Sequence, residues 1–306
     1  MKILVATDKP FAKTATDGIR EIVTSAGHTL TLFEKYTSQE ELYEAVKDAD
    51  AMIVRSDKIT SAVLEHAKNL KIVVRAGAGY DNIDLETSKS KGVVVMNTPG
   101  QNSNAVAELA LGMMIFISRN SFTPGTGVEL MGKTIGIHAF GNVGRRVAKL
   151  ASGFGMKVII HDIYLPKDDT ESKNYTVVDT VEELYKNSQY ISLHIPATAQ
   201  TKGSIGYELL SMMPKGGVLV NTARKEVINE DGLYRALKER ADLKYITDIP
   251  ADNQQLLNEE FGVRVFASPK KMGAETAEAN INAGLAAANQ IVKFLATGDE
   301  TFRVNK

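Results

Sequence analysis

The chain has 306 residues, no cysteine, and 36 lysines and arginines against 37 aspartates and glutamates. So even a charge balance argues against broad binding to nucleic acid or an anionic membrane, and the lack of cysteine excludes disulfides, thiolate nucleophiles and cysteine-ligated metals. The length suffices for two domains with a core each, and the opening "MKILVATDKP" is too short an apolar run for a signal-peptide core, so a protein of the cytoplasm without a membrane span is expected.

From that opening, short apolar runs alternate with helical stretches. "KILVA" (2–6), "TLTLF" (29–33), "DAMIV" (50–54), "KIVV" (71–74) and "VVVM" (93–96) make a first array of strands. Between the second and third lies "SQEELYEAVKDA", which opens on a capping box of Ser38 and Glu41. The apolar helix "NAVAELALGMMIFISR" and the turn-rich "SFTPGTGVELMG" interrupt the pattern. A second array follows: "TIGIHA" (134–139), "KVIIHD" (157–162), "YISLHIP" (190–196), "GVLVN" (217–221), "LKYITD" (243–248) and "VRVFA" (263–267), then a helix over about 275–297. Five strands and then six, each alternating with helices, predict an α/β chain of two doubly wound parallel sheets.

"TIGIHAFGNVGRRVAKL" reads as strand, tight turn and helix. It carries the second and third glycines of a dinucleotide fingerprint, Gly141 and Gly144, with Ala139 at the first position. The second glycine lets backbone approach a pyrophosphate seated on the helix N-terminus; the third allows close helix–sheet packing. The next strand ends at Asp162, about 20 residues on, where an acid accepts the adenosine ribose hydroxyls. That acid repels a 2′-phosphate, and "DIYLP" offers no arginine, so NAD is favoured over NADP. The bland alternative, a βα turn that binds nothing, has to explain why strand, turn, helix and acid fall in register.

In the first array, "MIVRSD" ends a strand with Arg55 and Ser56, and "VVRAGAGYDNID" ends the next with Arg75 and a glycine-rich turn. Ligands of open α/β sheets bind outside the carboxyl ends of strands, and two guanidinium forks suit a multiply charged anion. Position alone fits two surface arginines paired with acids equally well.

Taken together, "AMIVRSDKIT", "VVRAGAGYDNIDLE", "GVVVMNTPGQNSNAVAELALGMM", "GKTIGIHAFGNVGRRVA", "LHIPATAQTKGSIG" and "GGVLVNTARKEVINEDGL" resemble the D-isomer-specific 2-hydroxyacid dehydrogenase family over about residues 45–290. The resemblance implies a central Rossmann NAD-binding domain (101–274) inserted in a flavodoxin-like substrate-binding domain (1–100 and 275–306), and a homodimer. It implies that Arg224 in "NTARK" is the catalytic arginine on the substrate's carboxylate and carbonyl oxygen. Asn102 contacts substrate, and the turn Arg75, Ala76, Gly77 cradles the carboxylate. Arg55 and Arg75 fit a substrate phosphate, with Ser56 beside them as a further substrate-binding residue. Ala78, Gly141, Asn142, Val143, Asp162, His194, Ile195, Pro196, Thr222, Ala223 and Asp248 line the cofactor, with His194 a contact rather than a base. No metal is implied. The implied reaction is NAD-dependent oxidation of the small molecule D-3-phosphoglycerate at C2, which feeds serine synthesis. The chain closes soon after the last helix, so the resemblance leaves no room for the serine-sensing domain of longer members.

The pattern departs from the family at the proton carrier. The family places a glutamate after the strand of Asp248 and a histidine in a "PHxGxxT"-like turn. Here the glutamate position falls near Asn253, beside Asp252 and Gln254, and the turn is "PKKMGAET". Counting back from Gly273 puts Lys271 in place of histidine; counting forward from Pro269 puts Lys270 there. A free lysine titrates near 10.4, so at pH 7 roughly one in several thousand is neutral, a handicap that burial and a neighbouring Arg224 cation reduce. The expectation is a lysine-based dehydrogenase with an alkaline optimum for oxidation, against the reading of two surface lysines on a loop. Lys225 stands where a glycine usually follows the arginine, which alters the local turn, and the linker "NSFTPGTGVELMG" is shorter than usual. Two rivals remain: a reductase of unphosphorylated 2-hydroxy acids or hydroxypyruvate, and a non-catalytic NAD(H)-binding sensor whose active site has decayed.

Overall fold

A computed structural model describes residues 1–306. The chain divides into two compact units, residues 1–102 with 274–306, and residues 103–273. No helix is long and apolar enough to cross a membrane.

The first unit holds a parallel sheet of β1 (Lys2–Thr7), β2 (Thr29–Glu34), β3 (Ala51–Val54), β4 (Ile72–Arg75) and β5 (Val94–Asn97), in the order β2-β1-β3-β4-β5. The central strands read as unbroken apolar runs, and all of β3 and β5 is buried, as a sheet covered on both faces requires. One cover is the helix Lys13–Ser25, which buries Ala15, Ile19 and Val23. It packs on the last helix, Ala277–Thr297, through small residues. A methyl on Gly18 would come within 2.5 Å of Leu285, and one on Gly284 within 3.1 Å of Ile19. The strand order reverses between β1 and β3, so the turns Asp8–Pro10 and Arg55–Asp57 flank the switch point where such sheets take ligands.

The second unit holds β6 (Thr134–His138), β7 (Lys157–His161), β8 (Thr176–Val177), β9 (Tyr190–Leu193), β10 (Val218–Asn221), β11 (Lys244–Thr247) and β12 (Val265–Ala267). All are parallel, in the order β12-β11-β10-β9-β6-β7-β8. The sheet therefore has seven strands where the sequence predicts six. The addition, β8, is a two-residue edge strand with both side chains exposed, so it has no apolar run to announce it. Strand ends also fall short of the apolar runs: β9 stops at Leu193, three residues before Pro196, whose ring removes a ladder donor. Here the reversal lies between β6 and β9.

The helix Ser103–Ser118 is apolar on most of its surface and lies over β10 and β11. The capping box at Ser38 forms only in half. Ser38 accepts from the Glu41 N–H at 3.4 Å, but the Glu41 carboxylate takes the Thr37 hydroxyl at 2.9 Å rather than returning to the cap.

Candidate active site

In the second unit the glycine-rich turn follows β6. Ala139, at the first glycine position, adopts φ +78°, the left-handed conformation the fingerprint glycine would supply, so alanine here carries backbone strain. Gly144 permits tight packing: a methyl there would sit 2.2 Å from the Ala139 carbonyl oxygen. Gly141 differs, since a methyl on it would meet nothing within 4 Å. It precedes the helix Asn142–Gly153, whose first N–H groups, from Asn142 and Val143 on, have no partner within the helix.

Asp162 follows β7, its oxygens accepting the N–H groups of Phe140 at 2.7 Å and Tyr164 at 2.8 Å. The carboxylate is thus fixed, and its remaining lone pairs are available to hydroxyls. It lines a cavity of about 360 Å³ together with Ala139, Gly141, His194, Ile195 and Pro196. Three histidines reach this cavity from neighbouring strand ends: His138 on β6, His161 on β7 and His194 after β9. Burial, then the nearby His161, holds His138 down to about 4; burial, then His138, holds His194 down to about 3. Both are neutral at pH 7, and the buried Nε2 of His194 has no partner. A fixed acid, a largely apolar-walled cavity, an open glycine and a helix N-terminus fit a dinucleotide. Sequence reasoning found Asp162 and the glycines but missed His138 and His161, which are visible only once β6, β7 and β9 lie in register.

Arg224 sits on the turn after β10. Asn221, fully buried, brackets that turn: its Oδ1 accepts the Ala223 N–H and its Nδ2 donates to the Arg224 carbonyl, each at 3.0 Å. Arg224 Nη1 donates to the Ala223 carbonyl at 2.9 Å. Lys271 Nζ lies 3.4 Å from the same oxygen, so the two cations converge there. Lys270 instead offers its main-chain carbonyl to the Ser268 hydroxyl at 2.8 Å.

Asp248, expected to line the cofactor, is fully buried and turned toward the lysine loop. Its Oδ2 accepts the N–H groups of Met272 at 3.3 Å and Gly273 at 2.7 Å. Thr222 is buried with its hydroxyl unpartnered. Near the expected glutamate position, Asp252 pairs with Lys225 at 2.5 Å, while the Asp252 and Asn253 N–H groups are held by the Glu230 carboxylate at 2.8 and 3.1 Å. The lysine in place of the usual glycine thus ties the Arg224 turn to the loop after β11.

In the first unit, Arg55 and Arg75 end adjacent strands, and Arg75 Nε donates to the Arg55 carbonyl at 3.1 Å. The Arg55 turn is pinned by Asp57, 5% exposed, which accepts the Arg55 N–H at 3.1 Å, the Asp8 N–H at 2.7 Å and the Tyr36 hydroxyl at 2.7 Å. Burial and that bond push the Tyr36 phenol well above its ordinary value. Asn82 adds donations to the Arg55 and Asp57 carbonyls at 3.2 and 2.7 Å. The expected carboxylate cradle is partly spent inside the fold, because the Ala76 N–H donates to Val54 at 2.8 Å and the Gly77 N–H to the Arg75 carbonyl at 2.9 Å. Ala78 is exposed, its carbonyl accepting from Asn97 at 2.6 Å, Ser56 is exposed, and Asn102 is half-buried at the end of the unit's first segment.

A family profile described as "D-isomer specific 2-hydroxyacid dehydrogenase, NAD binding domain" matches residues 111–269, nearly the whole second unit. The D-3-phosphoglycerate dehydrogenase of Methanocaldococcus jannaschii is 41% identical over 276 residues, 84% of this chain and 52% of its own length. This chain thus spans about half the length of that relative. The hydroxypyruvate reductase of Thermotoga maritima is 36% identical over 283 residues, 87% of this chain and 91% of its own. The crystal structure of NAD+-bound 3-phosphoglycerate dehydrogenase from Entamoeba histolytica superposes with a TM-score of 0.89 at 52% identity, covering 100% of this chain and 99% of that one. With the second unit being that family's NAD-binding domain and full-length relatives well above 30% identity, the chain belongs to the D-isomer specific 2-hydroxyacid dehydrogenase family.

Proposed function

We propose that the chain oxidises D-3-phosphoglycerate to 3-phosphohydroxypyruvate with NAD, supplying serine synthesis. The observation that carries the reading is the convergence of Arg224 and Lys271 on the Ala223 carbonyl, 2.9 and 3.4 Å away. A carboxylate and a hydroxyl on adjacent carbons need such a pair, a fork for the acid and a proton carrier for the alcohol. Arg224 holds the carboxylate and polarises the C2 oxygen. Neutral Lys271 takes the hydroxyl proton as the C2–H bond gives up its hydride and the carbonyl forms. In reduction the ammonium returns that proton. Bound NAD supplies the hydride acceptor, held by Gly141, the helix N-terminus at Asn142, and Asp162. Arg55 and Arg75 take the phosphate, and the names of the Methanocaldococcus and Entamoeba relatives support that substrate.

The Thermotoga relative supports a second reading, reduction of an unphosphorylated keto acid. The arginine pair, for which such a substrate has no use, argues for phosphate. We further infer a homodimer working in the cytoplasm. Its support is the exposed apolar set Phe122, Val128, Met131 and Val263, with the Phe122 ring edge-on to Phe116 at 5.3 Å.

The test is NADH formation from NAD and D-3-phosphoglycerate at mildly alkaline pH, for wild type, Lys271→Ala and Lys270→Ala. Lys271→Ala should lose about 10²–10⁴-fold in kcat and Lys270→Ala little, as expected for loss of a general base. The wild-type oxidation rate should climb with pH toward the alkaline side. Turnover of hydroxypyruvate but not of the phosphorylated substrate would move the assignment to the second reading. NAD binding without any turnover would remove the enzyme altogether.

A further inference from the structure

The guanidinium of Arg55 is aimed by a residue 225 positions away in the chain. Its Nη2 donates to Asn280 Oδ1 at 2.7 Å, and its Nη1 to the carbonyls of Lys9 and Pro10 at 3.0 and 3.3 Å. The Phe11 ring lies against its face, 5.3 Å from centroid to Cζ. Asn280 is itself oriented: its Nδ2 donates to the Thr276 carbonyl at 2.9 Å, which leaves Oδ1 as the atom turned to the arginine. Thr276 caps the same helix by accepting the Ala279 N–H at 3.1 Å. These residues all belong to the first unit.

The three acceptors on the guanidinium have one property in common: two main-chain carbonyls and a carboxamide are all neutral. They fix direction without cancelling charge. A carboxylate at position 280 would have the same reach, but it would pair with the arginine and compete with any anionic ligand. We propose that Asn280 is a positioning residue that sets specificity for the substrate's phosphate, holding Arg55 in place while leaving its positive charge uncompensated. The inference rests on the reading that Arg55 meets the phosphate.

The experiment measures KM and kcat for D-3-phosphoglycerate and for D-glycerate, its counterpart without the phosphate, in Asn280→Asp, Asn280→Ala, Asn280→Gln and Arg55→Ala, with thermal melts as a folding control. Asn280→Asp should raise KM for the phosphorylated substrate by about 10–100-fold, the worth of one charge-assisted bond. Its kcat should stay within about twofold, and kcat/KM for D-glycerate should not change. Asn280→Ala should raise the same KM less than the acid does, and add nothing on an Arg55→Ala background. Asn280→Gln, which keeps a neutral carboxamide, should lie nearer wild type than either. If Arg55→Ala leaves KM for the phosphorylated substrate unchanged, the assignment of Arg55 to phosphate is wrong. If Arg55→Ala raises it while Asn280→Asp and Asn280→Ala do not, that assignment stands and the role of Asn280 is overturned. Equal losses on both substrates would also overturn it, since a purely structural role predicts them.

Discussion

Replacing Gly77 by alanine should disable Arg75 without touching its side chain. Gly77 sits at φ +149°, and a methyl built on it would lie 1.4 Å from Arg75 Nη1 and 2.5 Å from its Cζ. The guanidinium occupies the space that only glycine leaves empty. Because that clash is with the far end of a flexible chain, the cheapest relief is to expel the arginine, which breaks the 3.1 Å bond from Nε to the Arg55 carbonyl. A charge-assisted bond of this kind is worth about 1.5–3 kcal/mol, and the unfavourable φ adds about 1–3 kcal/mol of strain. If Arg75 serves the phosphate, its loss should lower kcat/KM for D-3-phosphoglycerate by about 10–150-fold. The assay is a double-mutant cycle of Gly77→Ala and Arg75→Ala, with kcat/KM and urea midpoint read for each form. Acting through the arginine, Gly77→Ala should be costly in wild type and nearly silent in catalysis on the Arg75→Ala background, where only backbone strain is left. Equal catalytic penalties in both backgrounds would refute the reasoning and assign Gly77 a role of its own.

The two glycines of the nucleotide turn should separate stability from affinity. Gly144→Ala drives a methyl to 2.2 Å from the Ala139 carbonyl, a main-chain atom that cannot step aside, and should destabilise by about 1–3 kcal/mol in urea unfolding. Gly141→Ala meets no protein atom, so its unfolding midpoint should hold while NAD affinity falls in calorimetric titration; an unchanged affinity would mean the dinucleotide does not pass over Gly141. The histidine cluster predicts acid sensitivity. His138 is held down to about 4 from an ordinary 6.5, chiefly by burial, so the unfolded chain takes up its proton first as pH falls. Its contribution is complete above pH 6.5 and is lost as pH drops toward 4. By pH 5 the loss is about 2 kcal/mol, at 1.36 kcal/mol per pH unit. His138→Gln should flatten the fall in urea midpoint between pH 7 and pH 5, and a variant with the wild-type slope would show that His138 is not its source.

What could be read from the chain was whatever one element carries by itself. Fully buried parallel strands read as apolar runs, and the turn from β6 into its helix places Gly141, Gly144 and, one strand later, Asp162 at fixed spacing. What could not be read depends on elements meeting. His138, His161 and His194 are scattered along 57 residues, and only the pairings of β6 with β7 and β9 gather their strand ends around one cavity. Asn280 faces Arg55 only because the last helix returns to the first sheet. The strand β8 escaped for a different reason, being two exposed residues with no periodicity to detect. The resemblance places Asp248 among the cofactor-lining residues; what it does not show is that one carboxylate oxygen accepts the N–H groups of Met272 and Gly273, a contact that exists only because the loop after β12 returns to the end of β11.

Under the proposed assignment, the lysine turn does without the glutamate that accompanies a catalytic histidine, and Asp248 holds that turn instead. An imidazole must be held in one tautomer and one ring orientation, which takes a side-chain partner on its second nitrogen. An ammonium or amine has no tautomer to select; the Lys271 nitrogen rides on a flexible stem and meets the Ala223 carbonyl at 3.4 Å. What is fixed here is the main chain of its loop. Asp248 grips the N–H groups that follow Lys271, and Ser268 grips the Lys270 carbonyl before it. Asp252, the acid nearest the vanished glutamate, is free to pair with Lys225 and brace the Arg224 turn instead. Under the proposed assignment, exchange of histidine for lysine and loss of the glutamate are therefore one change. Restoring histidine alone at position 271 should not restore a histidine-type pH profile, whereas restoring it together with a glutamate at position 253 should move the optimum for oxidation toward neutrality.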